Sequence, residues 1–491
     1  MTTDKRSLVL ITVDCLRADH CGFYGYSRPT TPYLDSLAAE SFVVPTAIVG
    51  GAPTYYSFPT ILASRMPLAL GRDVVGLARG ESTLASALRE AGYATAAFSA
   101  ANPYISARFG YDQGFNVFHD YLDFKAPTAV DIESQTSPGI SVRGKLNRSV
   151  KMFSDAVGLC HVYNELYFEY CMKNAPAVNT MGELRKFPAA DRLVDDADAW
   201  LATMGDRPFF LWLHLMDPHS PYYPPEDTLR DLICKTVEPR RARYLNEYWN
   251  RSDLSASGLR KKRSEVVQLY DAGIRWVDRQ IARLVERLKQ ANLWDRCVLA
   301  LTADHGEEFL EHGGRYHAPV HLHEELVRVP LVIRVPGKRS GKMPASPMSH
   351  LHLAPTLLEI VGGQAPPSFQ GRSLWTNLQN GIPWDDPAII ECTYGCTNPF
   401  HRETRKAPRL LAVRDERFKL VLRIEPHARE ELFDLQTDPA ETTGGSEGRG
   451  EARRRLFIAA REHMNRTVSA RDQTLRLRAR LSDLRLEASG A

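Results

Sequence analysis

Residues of metal-binding types directly follow two apolar runs of the sequence. Asp14 follows the run 7–13, and Asp304 and His305 follow the run 297–302. Such runs are typical of buried parallel strands, which present functional residues at their carboxyl ends. Carboxylates are hard oxygen ligands, and imidazole is a borderline nitrogen ligand. Each Asp could instead cap a following helix. Because two distant strands end alike, we predict one shared divalent-metal site.

Two further histidines occupy comparable positions. His219 lies just beyond the apolar run 209–215, so its imidazole is expected at the same sheet edge as Asp14. A surface loop is the alternative. His317 belongs to a group of four histidines that follows Asp304; such a group can bind metal or act as an acid, and not all four can do so. The group consists of His312, His317, His321 and His323.

A hydroxyl group that could act as a nucleophile lies between these regions. Gly50, Gly51 and Pro53 precede Thr54, and an apolar run follows. A hydroxyl at a helix N-terminus feels the positive end of the helix dipole, which stabilises both a deprotonated oxygen and an incoming oxyanion. Thr is also an ordinary helix N-cap. Ser57 is the competing nucleophile.

Alternating helix and strand patterns must position these residues. A helix over 81–92 ends at Gly92 and leads to a strand over 94–98, and helix 189–204 leads to the run 209–215. This order predicts an α/β fold with a doubly wound, mostly parallel sheet. A long helix carries one core-facing stripe at three- and four-residue steps. Its members are Val267, Tyr270, Ile274, Val277, Ile281, Leu284 and Leu288.

The sequence changes character twice. Residues 120–186 interrupt the alternation with a polar stretch and then an aromatic-rich one, which predicts an insertion that lines the substrate pocket or merely packs on the sheet. After residue 385, short strands with tight turns predict a small antiparallel sheet. We expect a catalytic domain over 1–385, an antiparallel subdomain over 386–443 and an Arg-rich helical tail over 444–491, with disorder as the alternative for the tail. The leucines of that tail are Leu475, Leu477, Leu481 and Leu484.

Composition excludes some functions. The net charge is +3, so the whole molecule does not resemble a nucleic-acid binder. None of the eight cysteines forms a C-x-x-C pair, which favours a reduced, cytoplasmic protein. The first apolar run is too short for a secretion signal, and no stretch approaches the roughly 20 apolar residues of a membrane helix. We therefore expect no membrane anchor. The tail could support a homo-oligomer.

Several motifs then coincide in order: 13–19 (VDCLRAD), 217–222 (DPHSPY), Tyr270 with Asp278, 303–307 (ADHGE) and 431–439 (ELFDLQTDP). Together they resemble the sulfatase branch of the alkaline phosphatase superfamily over residues 7–443. The resemblance implies an alkaline-phosphatase-like fold and a metal-dependent hydrolase.

The chain departs from the sulfatase pattern at the nucleophile. Sulfatases carry Cys-x-Pro-x-Arg or Ser-x-Pro-x-Arg, whose first residue is oxidised to formylglycine. Here residues 54–58 read TYYSF, so the Pro and the Arg are missing and Thr54 cannot become formylglycine. Thr54 instead resembles the nucleophile of the phosphoethanolamine and glycerophosphate transferases, which are membrane-anchored. Cys15 also replaces the usual second Asp of the metal site.

The resemblance implies one divalent metal ion (Mn, Zn or Ca) held by Asp14, Asp304, His305 and the Thr54 oxygen. Thr54 would attack phosphorus, while His219 and His317 would hold the non-bridging oxygens or protonate the leaving group. We therefore expect hydrolysis of a small anionic phosphate or phosphonate ester. The alternatives are phosphoryl transfer to an alcohol, sulfate ester hydrolysis, and a non-catalytic binding protein.

Overall fold

A computed structural model describes residues 5–71, 74–124, 152, 154, 159–338, 343–424, 429–445 and 450–466. The polar stretch 127–147 of the expected insertion and the tail leucines Leu475, Leu477, Leu481 and Leu484 lie outside these residues.

The described residues contain sixteen strands and twelve α-helices, numbered in chain order. The strands are β1 Ser7–Val13, β2 Phe42–Val43, β3 Ala47–Ile48, β4 Ala94–Ser99, β5 Val117–His119, β6 Phe209–Leu215, β7 Cys297–Ala303, β8 Glu308–Phe309, β9 Arg315–Tyr316, β10 Arg328–Val329, β11 Leu331–Arg334, β12 Met348–Ser349, β13 Ala388–Thr393, β14 Arg409–Arg414, β15 Phe418–Arg423 and β16 Arg429–Asp434. The helices are α1 Pro32–Ala38, α2 Thr54–Ala63, α3 Leu84–Glu90, α4 Cys160–Lys173, α5 Ala190–Leu201, α6 Glu226–Ile233, α7 Pro239–Trp249, α8 Ala256–Gln290, α9 Glu324–Val327, α10 Leu353–Ile360, α11 Trp375–Asn380 and α12 450–466.

The main sheet has seven strands in the order β2-β11-β7-β1-β6-β4-β5. The five strands from β7 to β5 in this order are parallel, whereas β11 runs antiparallel to both of its neighbours. The predicted α/β class with a mostly parallel sheet is therefore confirmed. Strands β1, β6 and β7 are buried along their whole length, as their continuous apolar sequences predict.

Strand register brings the predicted ligands to one edge of this sheet. Val13 pairs with Leu215 of β6 and with Ala303 of β7. The residues that follow these three positions therefore leave the sheet side by side. Asp14 and Asp304, which are 290 positions apart by number, become neighbours because parallel strands end at the same edge.

The long helix α8 buries its predicted stripe and also supports α1. Asp278 of α8 accepts hydrogen bonds from the backbone N–H groups of Tyr33 and Leu34, at 3.1 and 2.8 Å. Thr31 immediately precedes α1, a position where threonine commonly caps a helix, but its hydroxyl donates to Asp35 at 2.8 Å and makes no cap hydrogen bond. A carboxylate from another helix thus takes the place of a local cap.

The predicted antiparallel subdomain is a four-stranded sheet in the order β13-β14-β15-β16. Helix α12 packs on one face of this sheet through Leu456 and Ala460, which are buried against Leu411 and Leu432 among others. Residues 450–466 of the tail are thus helical, whereas the leucines on which the predicted tail helix rests lie outside the described residues. In the described residues, no helix has the length and apolar character required to cross a membrane.

Glu391 of β13 joins three parts of the chain. It is fully buried, pairs with Arg409, accepts the backbone N–H of Leu68 at 2.9 Å and lies 2.9 Å from the Nε2 atom of His463 on α12. Burial alone would raise the pKa of Glu391, but Arg409 and His463 lower it to about 2.

Glu391→Gln is expected to lower the free energy of unfolding by about 3–5 kcal/mol at neutral pH, because it leaves Arg409 buried without its counter-charge. The folded pKa of Glu391 lies below 4.5, the usual pKa of a glutamate side chain. Its contribution is therefore present above pH 4.5 and is lost as the pH falls towards 2. Urea unfolding between pH 7 and pH 3 measures this loss. Glu403→Gln, at an exposed position, is the control and should leave the stability unchanged.

Candidate active site

Four predicted residues converge at the carboxyl edge of the main sheet. Asp14, Asp304 and His305 are completely buried, and Thr54 is 3% exposed. The Nε2 atom of His305 lies 3.1 Å from Thr54 Oγ1, 3.4 Å from Asp304 Oδ2 and 3.7 Å from Asp14 Oδ1. One hydroxyl and two carboxylates thus lie within 3.7 Å of a single imidazole nitrogen.

Thr54 is the first residue of α2, and Pro53 occupies the N-cap position. The alternative that Thr54 serves as an N-cap is therefore wrong, and its hydroxyl is directed to His305 instead. Ser57 lies one turn further along α2. It is completely buried, its hydroxyl has no hydrogen-bond partner among the described residues, and it does not line the cleft above Thr54. The geometry favours Thr54 over Ser57 as a group that substrate can reach.

The tautomer of His305 follows from its backbone neighbour. Nδ1 lies 2.8 Å from the carbonyl oxygen of Gly306, so we assign the ring proton to Nδ1 and the lone pair to Nε2. Gly306 passes close to α9, and an added Cβ would lie 1.9 Å from the carbonyl oxygen of Glu325 in this helix. Any larger residue at 306 would displace His305.

The donor set fits a divalent cation. The Oδ2 atom of Asp304 is buried and accepts no hydrogen bond from the described residues, which is unusual for a carboxylate. Burial and the nearby charge of Asp14 raise the pKa of Asp304. Burial would also raise the pKa of Asp14, but the imidazoles of His219, His305 and His214 hold it well below its usual range. A cation would compensate this concentrated negative charge.

Two residues that the sequence analysis missed orient Asp14. His214 Nε2 lies 3.3 Å from Asp14 Oδ2, and Asn102 donates its amide N–H to the same oxygen at 3.1 Å. His214 is the polar residue in the otherwise apolar strand β6, and Asn102 comes shortly after β4. A polar residue inside a buried strand, or just beyond one, was the available signal for both.

Cys15 adopts a positive φ of 62°, a conformation that non-glycine residues seldom take. In this conformation its backbone N–H donates to Asp304 Oδ1 at 3.3 Å, and its thiol lies 3.1 Å from Asp14 Oδ1 and 3.4 Å from His317 Nδ1. Burial, followed by the charges of Glu307, Asp14 and Asp304, raises the pKa of this thiol well above its usual range. The thiol therefore stays protonated and donates to Asp14.

A cleft of about 370 Å³ opens above Thr54, and His219 and His317 line it. The two rings are 5.0 Å apart between centroids, and His317 lies 4.5 Å from the ring of His305. His219 Nδ1 lies 2.5 Å from the carbonyl oxygen of Ser220, which leaves Nε2 for other contacts. Of the predicted site residues, Thr54, His219 and His317 thus line this cleft, whereas Asp14, Asp304 and His305 are completely buried and do not line it.

The described residues 159–186 of the insertion lie away from the cleft above Thr54. None of the described residues from 159 to 186 lines this cleft, and Phe168 of α4 packs against Tyr244 and Tyr248 of α7. The interpretation of this part as a pocket wall was therefore wrong, and the alternative of a packing element is correct for it. Aromatic composition is common to both roles, which is why the sequence could not separate them.

Glu307 holds His317 and is completely buried. Its Oε1 atom lies 3.1 Å from His317 Nδ1, and Tyr222 donates a hydrogen bond from its hydroxyl to Oε2 at 3.0 Å.

Glu307→Gln is expected to reduce kcat about 10–100-fold, because partners of this kind fix the orientation of a functional imidazole. The test compares pH profiles of kcat. The milder Tyr222→Phe variant keeps the Glu307 carboxylate and should lose less activity, whereas an equal loss in both variants would contradict this role.

The fold and the site together define an α/β protein of the alkaline phosphatase superfamily. The family model described as "Sulfatase" matches residues 6–363, and a second model, "N-sulphoglucosamine sulphohydrolase, C-terminal", matches residues 311–450. The chain therefore belongs to the sulfatase family, whose members are metal-dependent hydrolases that act on ester bonds.

The names of similar proteins include both sulfatases and phosphonate monoester hydrolases. An arylsulfatase of Clostridium perfringens is 24% identical over 470 residues, which cover 89% of this chain and 90% of that protein. A protein solved with its substrate D-glucosamine-2-N,6-O-disulfate has a TM-score of 0.67 at 17% identity, covering 95% and 98% of the two chains. The phosphonate monoester hydrolase of Agrobacterium radiobacter has a TM-score of 0.64 at 19% identity, covering 96% of each chain. These two structural matches show a shared fold.

Proposed function

We propose that this sulfatase-family chain hydrolyses a phosphate monoester, phosphate diester or phosphonate ester with Thr54 as its nucleophile. One observation carries the proposal: the Thr54 hydroxyl lies beside the cleft, 3.1 Å from His305 Nε2, at the start of α2. The β-carbon of threonine carries a methyl group and cannot be oxidised to the aldehyde of formylglycine. An alcohol nucleophile suits transfer of a phosphoryl group to oxygen.

The residues that would hold a divalent ion are Asp14, Asp304, His305 and Thr54. Three oxygen donors and one nitrogen donor match the preferences of Mn²⁺ or Zn²⁺, whereas Ca²⁺ would require additional oxygen ligands. When bound, such an ion would lower the pKa of the Thr54 hydroxyl and offset negative charge on the substrate. Cys15 places a protonated thiol where the related sulfatase pattern has a second carboxylate, so this site offers one carboxylate ligand fewer.

The reaction then has two steps. The Thr54 hydroxyl loses its proton to water, the Thr54 oxygen forms a bond to phosphorus while the bond from phosphorus to the leaving oxygen breaks, and His219 or His317 donates a proton to that oxygen. Water next attacks phosphorus and gives a proton to the same imidazole, the bond to Thr54 breaks, and the Thr54 oxygen takes up a proton from water. Glu307 holds His317 in position for both steps through its 3.1 Å contact with Nδ1.

The lining of the cleft limits how an anionic substrate could be bound. Among the described residues that line the cleft there is no Lys or Arg. A bound ion and the imidazole N–H groups of His219 and His317 would therefore have to contact the anionic group. The volume of about 370 Å³ admits a compact ester.

The test compares four substrates with one leaving group: a p-nitrophenyl phosphate monoester, a diester, a phosphonate and a sulfate. Each is assayed with Mn²⁺, Zn²⁺ or Ca²⁺. We expect faster turnover of the phosphorus esters and, after an acid quench, a phosphoryl group on the peptide that contains Thr54. The Clostridium perfringens relative is named an arylsulfatase. Faster turnover of the sulfate ester than of the phosphorus esters would overturn the proposal. A phosphorylated alcohol acceptor would instead identify a transferase.

A further inference from the structure

A second group of imidazole and carboxylate side chains lies outside the cleft. His312, His323 and Glu325 each offer one ligand atom, and these atoms lie within 4.8 Å of one another. The ring of His321 is 5.2 Å from that of His323 and 6.3 Å from that of His312. None of these four residues lines the cleft above Thr54. We call them the His312 cluster.

Hydrogen bonds already orient two of these rings for metal binding. His312 Nε2 donates to the carbonyl oxygen of Ala440 at 3.1 Å, and Nδ1 donates to Glu325 Oε1 at 2.5 Å, so a divalent ion would take the place of the proton between Nδ1 and Glu325. His321 Nδ1 lies 3.0 Å from Glu308 Oε2, which leaves the lone pair on Nε2. Metal-binding histidines characteristically donate their other N–H to a carboxylate or a backbone carbonyl in this way.

The third ring, that of His323, has one nitrogen atom that lacks a hydrogen-bond partner. The Nδ1 atom of His323 is buried and has no hydrogen-bond partner among the described residues. The ring itself stacks on His312 at 3.5 Å between centroids, with 22° between the planes. Buried polar atoms without a partner are uncommon, and a bound ion would satisfy this one.

We propose that His312, His321, His323 and Glu325 form a second binding site for a divalent transition-metal ion, separate from the site at Thr54. Three imidazoles and one carboxylate match the ligands and the coordination number of Zn²⁺. The lone pairs of the stacked His312 and His323 rings lie in the ring planes and point in nearly parallel directions, so they do not converge on one ion. One of these two imidazoles must therefore rotate when the ion binds.

The position of the cluster indicates a structural role for this ion. His312 contacts Ala440, and Glu324 donates its backbone N–H to Glu441 at 2.6 Å, so both contacts join the loop after β7 to the segment that follows β16. That loop also carries His317. All four proposed ligands lie within residues 312–325, so a zinc ion would stabilise this segment, which carries His317 and contacts the segment after β16.

The experiment measures zinc per chain by mass spectrometry after equilibrium dialysis, in the Asp304→Asn background to weaken the site at Thr54. His323→Phe removes the ligand nitrogen but keeps a ring that can stack on His312. His161→Phe is the matched control, because His161 is an exposed histidine on α4. We expect the His323→Phe chain to bind one zinc ion fewer than its background, and the His161→Phe chain to bind the same number as its background.

Thermal unfolding supplies a second readout that does not depend on activity. Zinc should raise the Tm of the Asp304→Asn chain by a few degrees, and His323→Phe should abolish this rise. His321→Ala should weaken zinc binding and reduce the rise. Equal zinc content with and without His323→Phe would overturn the proposal, as would a zinc-induced Tm rise that survives this substitution. Neither result depends on whether Thr54 is the nucleophile.

Discussion

Thr54→Ala is expected to reduce ester hydrolysis by about 10⁴-fold or more, because loss of a covalent nucleophile removes the whole two-step route. The fold should be unchanged. Thr54 is 3% exposed at the first position of α2, and alanine is accepted there. The measurements are kcat/KM for the best phosphorus ester and the thermal unfolding curve of each variant.

Two control variants sharpen this result. Ser57→Ala removes a buried hydroxyl that has no hydrogen-bond partner among the described residues, so activity should change less than about 3-fold and stability should not fall. Thr54→Ser keeps an alcohol at the same position and should retain measurable turnover and a phosphorylated intermediate. Inactivation by Ser57→Ala together with an active Thr54→Ala chain would assign the nucleophile to Ser57.

Asp304→Asn is expected to cause the second largest loss, about 10³-fold in kcat, since a catalytic metal ion contributes several kcal/mol of charge stabilisation. The substitution nearly preserves the shape of the side chain but removes a negative charge from a completely buried position next to Asp14. The variant should therefore fold and should bind one divalent ion fewer than the parent chain, or bind it much more weakly.

The control for this substitution is Asp206→Asn, because the Asp206 side chain is fully exposed beside Arg296. It should change neither activity nor metal content. Isothermal titration with Mn²⁺ and Zn²⁺ provides the affinities, and the activity at saturating metal separates weak binding from lost chemistry. An Asp304→Asn chain with normal metal affinity and normal kcat would remove Asp304 from the site.

The sequence by itself determined the sheet and the positions of its functional edge. Continuous apolar runs identify buried strands from a short stretch of sequence. The residue that follows each run must lie at the carboxyl edge of a parallel sheet. This reasoning placed Asp14, Asp304 and His305 at that edge, and several motifs in order, among them 303–307 (ADHGE), together identified the family. Helix periodicity likewise predicted the buried stripe of α8.

Only the tertiary structure decided which side chains meet. The support of Asp14 by His214 and Asn102, and the capping of α1 by Asp278, join residues that are far apart in sequence. Chain order also could not separate the histidines, yet packing directs His317 into the cleft and His312 towards Ala440. Local patterns record burial and backbone preference. Side-chain contacts depend on the packing of whole elements against one another, which no short stretch of sequence contains.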